Sequence, residues 1–172
     1  MHKYIIETDR LILRPLTIAD ADAVFVWGSD PKVNRYMPYP IYTDIEKARQ
    51  WLSRVEQNDK EYEFGFIFKE NCLLIGSGGI GPHDDGQHWE VGYNIRSDYW
   101  GKGLATEAAK RMIAFANQEF GIHDFSANHA TENPASGKVL QKCGMKFERI
   151  GEYSRFDGSE TFKADFYKLH ID

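Results

Sequence analysis

Hydrophobic and polar positions repeat with two different periods along the chain, which predicts a mixture of strands and helices. Where apolar residues alternate, as Leu11 and Leu13 do, we expect a strand. Where they recur every three or four positions, as from Leu104 to Ala116, we expect a helix. The predicted strands lie at 10–16, on either side of the turn 69–71 within 62–82, at 88–96, at 122–130, and on either side of Asp157-Gly158. The predicted helices lie at 18–30, 45–57, 104–120 and 134–143.

Residue types that begin or end helices stand at the boundaries of these segments. Glycine, which ends helices readily, follows the last two of them as Gly121 and Gly144. Side chains that can cap a helix N-terminus precede three of the four, at Thr17, at Thr43 or Asp44, and at Asn133 before Pro134. The order of elements predicts an α/β (α+β) fold with a mixed, mainly antiparallel sheet flanked by helices. We find no repeat or linker, so we expect one domain over 1–172.

Residues 27–42 contain three prolines and several aromatic side chains without a sustained period. Proline limits both helix and strand, so we expect an irregular connector here. A long aromatic connector between regular elements is a candidate lid over a substrate.

The charge of the chain argues against some classes of partner. The formal net charge is −5, and Lys and Arg form no long run. Neither a nucleic-acid surface nor an anionic-membrane surface is therefore indicated. An acidic balance is more compatible with a small cationic partner.

The cysteines and the first residues suggest a cytoplasmic protein. Cys72 and Cys143 are too few for a disulfide framework, and the start MHKYIIETDR lacks the apolar core of a signal peptide. No apolar run approaches the roughly 20 residues of a membrane span. His83 and His88 do not have the spacing of a zinc helix, so we expect no metal site.

Two glycine-rich stretches are candidate phosphate sites. Gly76, Gly78 and Gly81 match the dinucleotide pattern GxGxxG, but Pro82 follows where that motif needs a helix. We therefore expect a strand, bulge and turn there, and a nucleotide-binding enzyme is only a distant alternative.

The stretch WGKGLA has the context that the first stretch lacks, because it lies between a predicted strand and a predicted long helix. Gly101 and Gly103 remove side chains that would keep an anion from the backbone, and Lys102 adds positive charge. This pattern predicts a pyrophosphate site at the helix N-terminus. The alternative is a loop whose glycines only satisfy a positive φ.

The segments EVGYNIRSDYWGKGLATEA (90–108) and NPASGKVLQKCGM (133–145) together resemble the acetyl-CoA-binding core of the GNAT N-acetyltransferase superfamily. Trp100 stands where that family usually has Gln or Arg. This departure and the opening ETDRLILRPL are similar to the branch of the RimJ/RimL ribosomal-protein N-acetyltransferases. The resemblance covers nearly the whole chain and is strongest from Glu90 to Met145.

The resemblance implies a GNAT fold with a locally splayed sheet and assigns residues to acetyl-CoA. The strand before the glycine loop would pair through its backbone with the pantetheine arm, at Tyr93, Asn94 and Ile95. Asn133 would contact the cofactor arm, although it is also a good helix cap. The pyrophosphate would be bound by Trp100, Gly101, Lys102, Gly103, Leu104, Ala105 and Thr106.

Glu90 is the candidate general base. Attack of an amine on a thioester requires loss of a proton, because a free aliphatic amine is mostly protonated at neutral pH. Family members often carry a glutamate at this place, and strand alternation puts Glu90 on one face with Gly92 and Asn94. The alternatives are a glutamate that only faces solvent, or His88 as the base.

Ser136 is the candidate proton donor for the departing thiolate. Many relatives use a tyrosine, but Leu140 occupies the aligned position here. In the RimJ/RimL-like branch, a serine three residues after the asparagine can donate. Ser136 could instead bond locally within its helix, and a water-mediated route stays open. Cys143 lies at a helix C-terminus, which disfavours a thiolate, so we expect direct transfer without an acetyl-enzyme.

The acceptor is the least determined partner. Kinship allows a protein N-terminus, an amino sugar or drug amine, a polyamine or an amino acid. Tyr36, Met37 and Tyr39 would shape this choice, or would pack between two helices. A catalytically inactive acetyl-CoA-binding module is the competing hypothesis, and we expect a monomer or homodimer in either case.

Overall fold

One sheet organises the structure. In the computed structural model, which describes residues 2–84, 86 and 88–172, eight strands join in the order β1-β2-β3-β4-β5-β6-β8-β7. The strands are β1 (Ile6–Glu7), β2 (Leu11–Pro15), β3 (Tyr62–Phe68), β4 (Leu73–Pro82), β5 (Trp89–Ile95), β6 (Asp124–Ala130), β7 (Lys146–Ser154) and β8 (Thr161–His170).

Five α-helices connect these strands. They are α1 (Ala21–Gly28), α2 (Pro31–Asn34), α3 (Ile45–Gln57), α4 (Leu104–Phe120) and α5 (Pro134–Lys142), and single 3₁₀ turns cover Ile18–Asp20 and Ser97–Tyr99. Asp44 caps α3 by accepting a hydrogen bond from the Lys47 N–H at 3.3 Å. Gly121 and Gly144 both have the positive φ predicted for helix ends. In the described part of the chain, no helix is long and apolar enough to cross a membrane.

All neighbouring strands are antiparallel except β5 and β6, which are parallel. The predicted α/β fold with a mixed, mainly antiparallel sheet is therefore confirmed. Alternation in β3 sends Phe64 and Phe66 into a core with α4, whereas Ile67 faces a second core with α1 and α3. The sheet is thus covered on both faces near its centre.

The glycine-rich stretch of β4 is an ordinary strand. It pairs with β3 on one side and β5 on the other, with a bulge at the step between Phe66 and Ile67 of β3. Among the described residues, no helix follows Pro82 before β5 begins, so the expected strand and bulge are confirmed and GxGxxG is here not a dinucleotide motif. The expected turn lies partly outside the described residues.

The prediction of an irregular connector is wrong for Pro31–Asn34, which forms α2. Trp27 and Gly28, which the predicted helix 18–30 also covers, complete α1. Asp30 caps α2 by accepting a hydrogen bond from the Lys32 N–H at 2.9 Å, and Pro31 occupies the first helical position. Proline is compatible with helix at that position, and the prediction had treated it only as a breaker.

Candidate active site

The pairing between β5 and β6 is short. It consists of Trp89 opposite Phe125 and Glu90 opposite Ser126, after which β6 continues along β8 as far as Ala130. Beyond Glu90, this edge of β5 has no strand partner within the described residues. The two strands therefore diverge, as expected from the resemblance to splayed sheets.

The backbone of Tyr93 faces this opening. The Arg96 N–H donates a hydrogen bond to the Ile75 carbonyl at 2.8 Å. This bond shows which β5 residues direct their backbone groups toward β4. By antiparallel alternation, Asn94 directs its backbone groups toward β4, and Tyr93 and Ile95 direct theirs away. The Ile95 carbonyl accepts a hydrogen bond from Trp100 Nε1 at 2.7 Å. Of the three predicted pantetheine-binding residues, Tyr93 therefore offers a free N–H and C=O.

The glycine loop ends at the N-terminus of α4. Gly101 and Gly103 both have positive φ, 75° and 76°, and Gly101 has no atom within 4 Å of the place where a Cβ would be. The first intrahelical bond is from the Glu107 N–H to the Gly103 carbonyl at 3.1 Å. The N–H groups of Leu104, Ala105 and Thr106 precede that bond and point out of the helix. This open cradle fits a pyrophosphate.

Arg10 holds the glycine loop in place, and no local sequence pattern indicates this role. Its guanidinium donates to the Lys102 carbonyl at 2.9 Å and to the Glu107 carboxylate at 2.7 Å. The Lys102 ammonium lies 4.9 Å from the centre of the Tyr99 ring. The loop is thus tied to β2 and bordered by two cationic groups. Arg10 precedes the loop by more than ninety residues, so only the folded chain shows the contact.

A cavity of about 510 Å³ crosses the sheet where β5 and β6 diverge. It includes the predicted catalytic residues Glu90 and Ser136. It also includes the predicted residues Tyr93, Asn94, Asn133, Tyr36, Met37 and Tyr39. The loop from Trp100 to Thr106 is outside this lining, at the start of α4. The structure therefore brings the predicted catalytic and acceptor-binding side chains to one place, and the predicted pyrophosphate site lies outside it, at the start of α4.

The Glu90 carboxylate is held at the mouth of the opening. The Asn128 amide of β6 donates to Glu90 Oε1 at 3.1 Å, across the last paired residues of β5 and β6. Desolvation raises the pKa of Glu90, although the nearby His83 and His88 act in the opposite direction. A carboxylate with a raised pKa is a better proton acceptor near neutral pH than an ordinary glutamate.

Tyr93 and Ser136 form a pair of hydroxyl groups in the cavity. The Tyr93 hydroxyl lies 3.1 Å from Ser136 Oγ and 3.2 Å from the Ser136 carbonyl oxygen. Burial raises the pKa of Tyr93, so its phenol stays protonated at neutral pH. Leu140 also lines the cavity. A phenol is therefore present on β5, at Tyr93, although Leu140 stands at the family's usual tyrosine position. The resemblance implied only a backbone role for Tyr93.

Asn133 does not cap α5 with its side chain. The helix starts at Pro134, which has no backbone N–H group that would need an acceptor. The Asn133 side chain lines the cavity instead. The structure thus leaves this amide available to a ligand, and the helix-cap alternative is not what the structure shows.

Arg155 fixes the connector as a wall of the cavity. Its guanidinium donates to the Met37 carbonyl at 2.9 Å, to the Tyr39 carbonyl at 3.2 Å and to Asn34 Oδ1 at 3.1 Å. The Tyr153 hydroxyl donates to the Tyr36 carbonyl at 2.6 Å. The β7–β8 hairpin therefore holds the predicted lid against the rest of the molecule. Sequence analysis missed Arg155, since nothing local distinguishes it from a surface arginine.

Glu63 is a second cavity carboxylate that the sequence did not reveal. It lies on β3 opposite Gly79, where a Cβ would collide with the Glu63 carboxylate. Burial, together with the neighbouring charge of Glu61, raises the pKa of Glu63 to about 8, and a hydrogen bond from Ser77 acts in the opposite direction. Nothing in the strand pattern of residues 62–68 distinguishes Glu63 from a polar position that faces solvent.

Cys143 is unsuited to act as a nucleophile. Burial raises the pKa of its thiol to about 11, and its Sγ is 3.9 Å from the Thr106 carbonyl. The thiol is therefore protonated at neutral pH. Across residues 2–84, 86 and 88–172, no group of three or more His, Cys, Asp or Glu side chains is arranged to hold a metal ion.

Comparison with known proteins decides the family. A sequence profile described as an acetyltransferase (GNAT) domain matches residues 10–146. The chain belongs to the GNAT acetyltransferase family. The chain is 29% identical over 168 residues to the uncharacterized N-acetyltransferase p20 of Bacillus licheniformis, covering 95% of this chain and 93% of p20. The resemblance inferred from the sequence is confirmed, and this GNAT protein is an acetyltransferase.

Solved structures share the fold of this GNAT protein. A GNAT-family acetyltransferase from Bacillus anthracis superposes with a TM-score of 0.84 at 27% identity, covering 97% of this chain and 98% of that one. RimL, a ribosomal α-N-protein acetyltransferase in complex with coenzyme A, gives a TM-score of 0.83 at 17% identity, covering 98% and 99%. The similarity to RimL at this identity shows a common fold.

Replacing Glu63 with glutamine should change how the stability of this protein depends on pH. The carboxyl binds its proton more tightly in the folded chain than in the unfolded chain, where its pKa is near 4.5. Between about pH 5 and pH 8, the free energy of unfolding of the wild type should therefore fall relative to Glu63→Gln by up to about 1.4 kcal/mol per pH unit. Above pH 8 the difference should be constant.

Urea unfolding at a series of pH values measures this difference. Glu70→Gln, at an exposed position in the turn between β3 and β4, is the matched control and should follow the wild type throughout. Parallel curves for wild type and Glu63→Gln would show that the Glu63 carboxyl titrates normally.

Proposed function

We propose that this protein transfers an acetyl group from acetyl-CoA directly to a primary amine. The observation that carries the proposal is the free edge of β5, which leads from the glycine loop to a cavity holding a carboxylate and a hydroxyl pair. One side of the opening can bind a thioester arm, and the other can receive an amine. The N-acetyltransferase p20 and coenzyme A-bound RimL support this choice of reaction and cosubstrate.

The residues present fit acetyl-CoA, which supplies a thioester when bound. The N–H groups of Leu104, Ala105 and Thr106 would hold the pyrophosphate, with Gly101 and Gly103 allowing close approach. The backbone of Tyr93 would bond to the pantetheine amides as a neighbouring strand does. The Asn133 amide would contact the same arm from α5. Asn94 would act through its side chain, since its backbone groups are engaged with β4.

Glu90 would remove the proton that the amine must lose. A primary ammonium has no lone pair, so the amine becomes a nucleophile only after a base accepts its proton. Glu90 lies at the mouth of the opening, is oriented by Asn128, and has a raised pKa. As nitrogen attacks the carbonyl carbon, the proton would pass to the Glu90 carboxylate directly or through one water.

The Tyr93–Ser136 pair would supply the proton that the departing thiolate accepts. Ser136 can donate its hydroxyl proton to sulfur while it accepts one from Tyr93. This leaves the negative charge distributed over two hydroxyl groups before reprotonation from solvent. The new amide carbonyl forms as the carbon–sulfur bond breaks, and no acetyl-enzyme is required.

Replacing Gly103 with valine should abolish tight binding of acetyl-CoA. A β-branched residue is strained at a φ of 76°, and its side chain would cover the N–H groups at the start of α4. We expect the dissociation constant for acetyl-CoA, measured by calorimetry, to rise by about 100-fold or more, or about 2.7 kcal/mol.

Gly158→Val is the matched control, because Gly158 has a φ of 72° in the turn between β7 and β8, outside the glycine loop. It should bind acetyl-CoA as the wild type does. Intact binding by Gly103→Val would remove the pyrophosphate assignment.

Replacing Glu90 with glutamine should remove the acidic limb of the pH–rate profile. In the wild type, kcat/KM for the amine should rise with pH as the Glu90 carboxyl loses its proton at a pKa above the usual value. Amine-dependent release of CoA thiol should fall by about 100-fold in Glu90→Gln, and acetyl-CoA affinity should not change.

The exposed Glu152→Gln variant in β7 is the control and should keep the wild-type profile. An unchanged profile in Glu90→Gln would exclude Glu90 as the base. If no amine causes thiol release although acetyl-CoA binds tightly, the protein is the inactive binding module instead.

Replacing Tyr93 with phenylalanine should lower kcat while leaving the KM for acetyl-CoA nearly unchanged. The backbone that would bond to pantetheine is retained, and only the phenol is lost. We expect kcat to fall by about tenfold or more, and Ser136→Ala combined with Tyr93→Phe should add little further loss because the two hydroxyls act as one unit.

Tyr167→Phe is the matched control, since its hydroxyl accepts a hydrogen bond from Gln141 outside the cavity. Additive losses in the Tyr93 and Ser136 double variant would show that the two hydroxyls do not form one proton path.

A further inference from the structure

The acceptor side of the cavity is acidic. Its described lining includes three carboxyl side chains, Glu61, Glu63 and Glu90, and contains neither Lys nor Arg. Like charges in a concave surface of this kind raise one another's pKa values, and Glu61 does so for both other carboxyls. Such a surface attracts cations and repels phosphate or carboxylate groups.

Aromatic rings lie around Glu63. Tyr39 and Tyr42 stack obliquely with ring centres 5.5 Å apart, and both are close enough to Glu63 for its charge to raise their pKa values, after the larger effect of burial. Trp27 and Trp51 line the same cavity from α1 and α3. Aromatic faces stabilise ammonium groups, especially when these are removed from water.

Two buried polar atoms in this wall lack a hydrogen-bond partner among the described residues. They are the Tyr39 hydroxyl and Asn94 Oδ1, and both side chains line the cavity. The Asn94 amide nitrogen donates to Ser77 Oγ at 3.2 Å, which leaves Ser77 free to donate to Glu63. Asn94 Oδ1 and the Glu63 carboxylate both need donors, and an ammonium group carries three.

The sheet surface between Glu63 and Glu90 is built from three glycines. The strand register aligns Glu90 with Gly81, and Gly92 with Gly79 and then Glu63. All five face the same side of the sheet by alternation, so strand geometry puts the two glutamate Cα atoms about 12 Å apart. The Glu63 carboxylate lies over Gly79 and the Glu61 side chain lies over Gly81. No atom lies within 4 Å of the Cβ position at Gly92, so an extended alkyl chain can lie there.

We propose that the acceptor is a small diamine or polyamine, with one nitrogen at Glu90 and a second ammonium bound by Glu63, Asn94 and the surrounding aromatic rings. The inference rests on the proposed function, because it names the substrate class of the same cavity. The distal ammonium pairs with Glu63, and the methylene chain lies over Gly92. Because the distal ammonium is bound at Glu63, the amine at the other end of the same molecule is positioned at the Glu90 carboxylate.

Three four-carbon amines that differ only at the far end test this inference. They are 1,4-diaminobutane, butylamine and 4-aminobutanoate, which end in an ammonium, a methyl and a carboxylate group. At pH 9, above the pKa of about 8 at which Glu63 loses its proton, we expect wild-type kcat/KM for thiol release to be about tenfold or more higher with the diamine than with butylamine, equivalent to about 1.4 kcal/mol. The value for 4-aminobutanoate should be below both.

Glu63→Gln should remove the preference for the diamine and leave kcat/KM for butylamine within about threefold of the wild type, because only the distal ammonium contacts Glu63. Glu70→Gln, outside the cavity, should keep the full preference. A urea transition at pH 6, where Glu63 is protonated and resembles glutamine, verifies that the variant is folded.

The outcomes separate this inference from the proposed function. If amines are acetylated without preference for a second ammonium, or if Glu63→Gln slows all three amines equally, the cation subsite is wrong and acetyl transfer stands. If no amine is acetylated, the proposed function is wrong, and calorimetric titration with 1,4-diaminobutane decides the subsite. Binding that is lost in Glu63→Gln supports it, and an absence of binding to the wild type overturns it.

Discussion

The early end of the pairing between β5 and β6 is the constraint on which the rest of the site depends. Two paired residues on each strand join the halves of the sheet, and beyond Glu90 the strands diverge. Backbone groups that would otherwise bond within the sheet become available, and a cavity opens across it. An unpaired polar backbone is costly when buried, so such an opening is stable only where water or a ligand can reach it.

The two faces of the sheet have different roles: one packs a hydrophobic core, and the other lines the cavity. On the α4 face, Phe64, Phe66 and Met112 form a dry core that supports the glycine loop from below. On the opposite face, glycines of β4 and β5 leave space, and Glu63 is retained with a raised pKa. A buried carboxyl opposes folding above its ordinary pKa, and positions that break the usual rules of burial in this way are concentrated at functional sites.

The end of the chain completes the site that the middle of the chain begins. Arg155 and Tyr153 of the β7–β8 hairpin bond to carbonyl groups of residues 34–39, so the connector forms a fixed wall. Arg10, from the beginning of the chain, in turn fixes the glycine loop through Lys102 and Glu107. Both arginines donate to backbone carbonyl groups. Every residue has such a group, so these contacts cannot be recognised from residue types in the sequence.

Local patterns by themselves determined most of the elements, because periodicity and end residues such as Asp44, Gly121 and Gly144 act over only a few positions. The glycine loop was also predictable, since a loop and the helix that follows it are continuous in the chain. Only the tertiary structure decided that Tyr93 meets Ser136, and that Glu63 shares a cavity with Glu90. Those contacts depend on strand register and on the divergence of β5 and β6, which set residues far apart in sequence side by side.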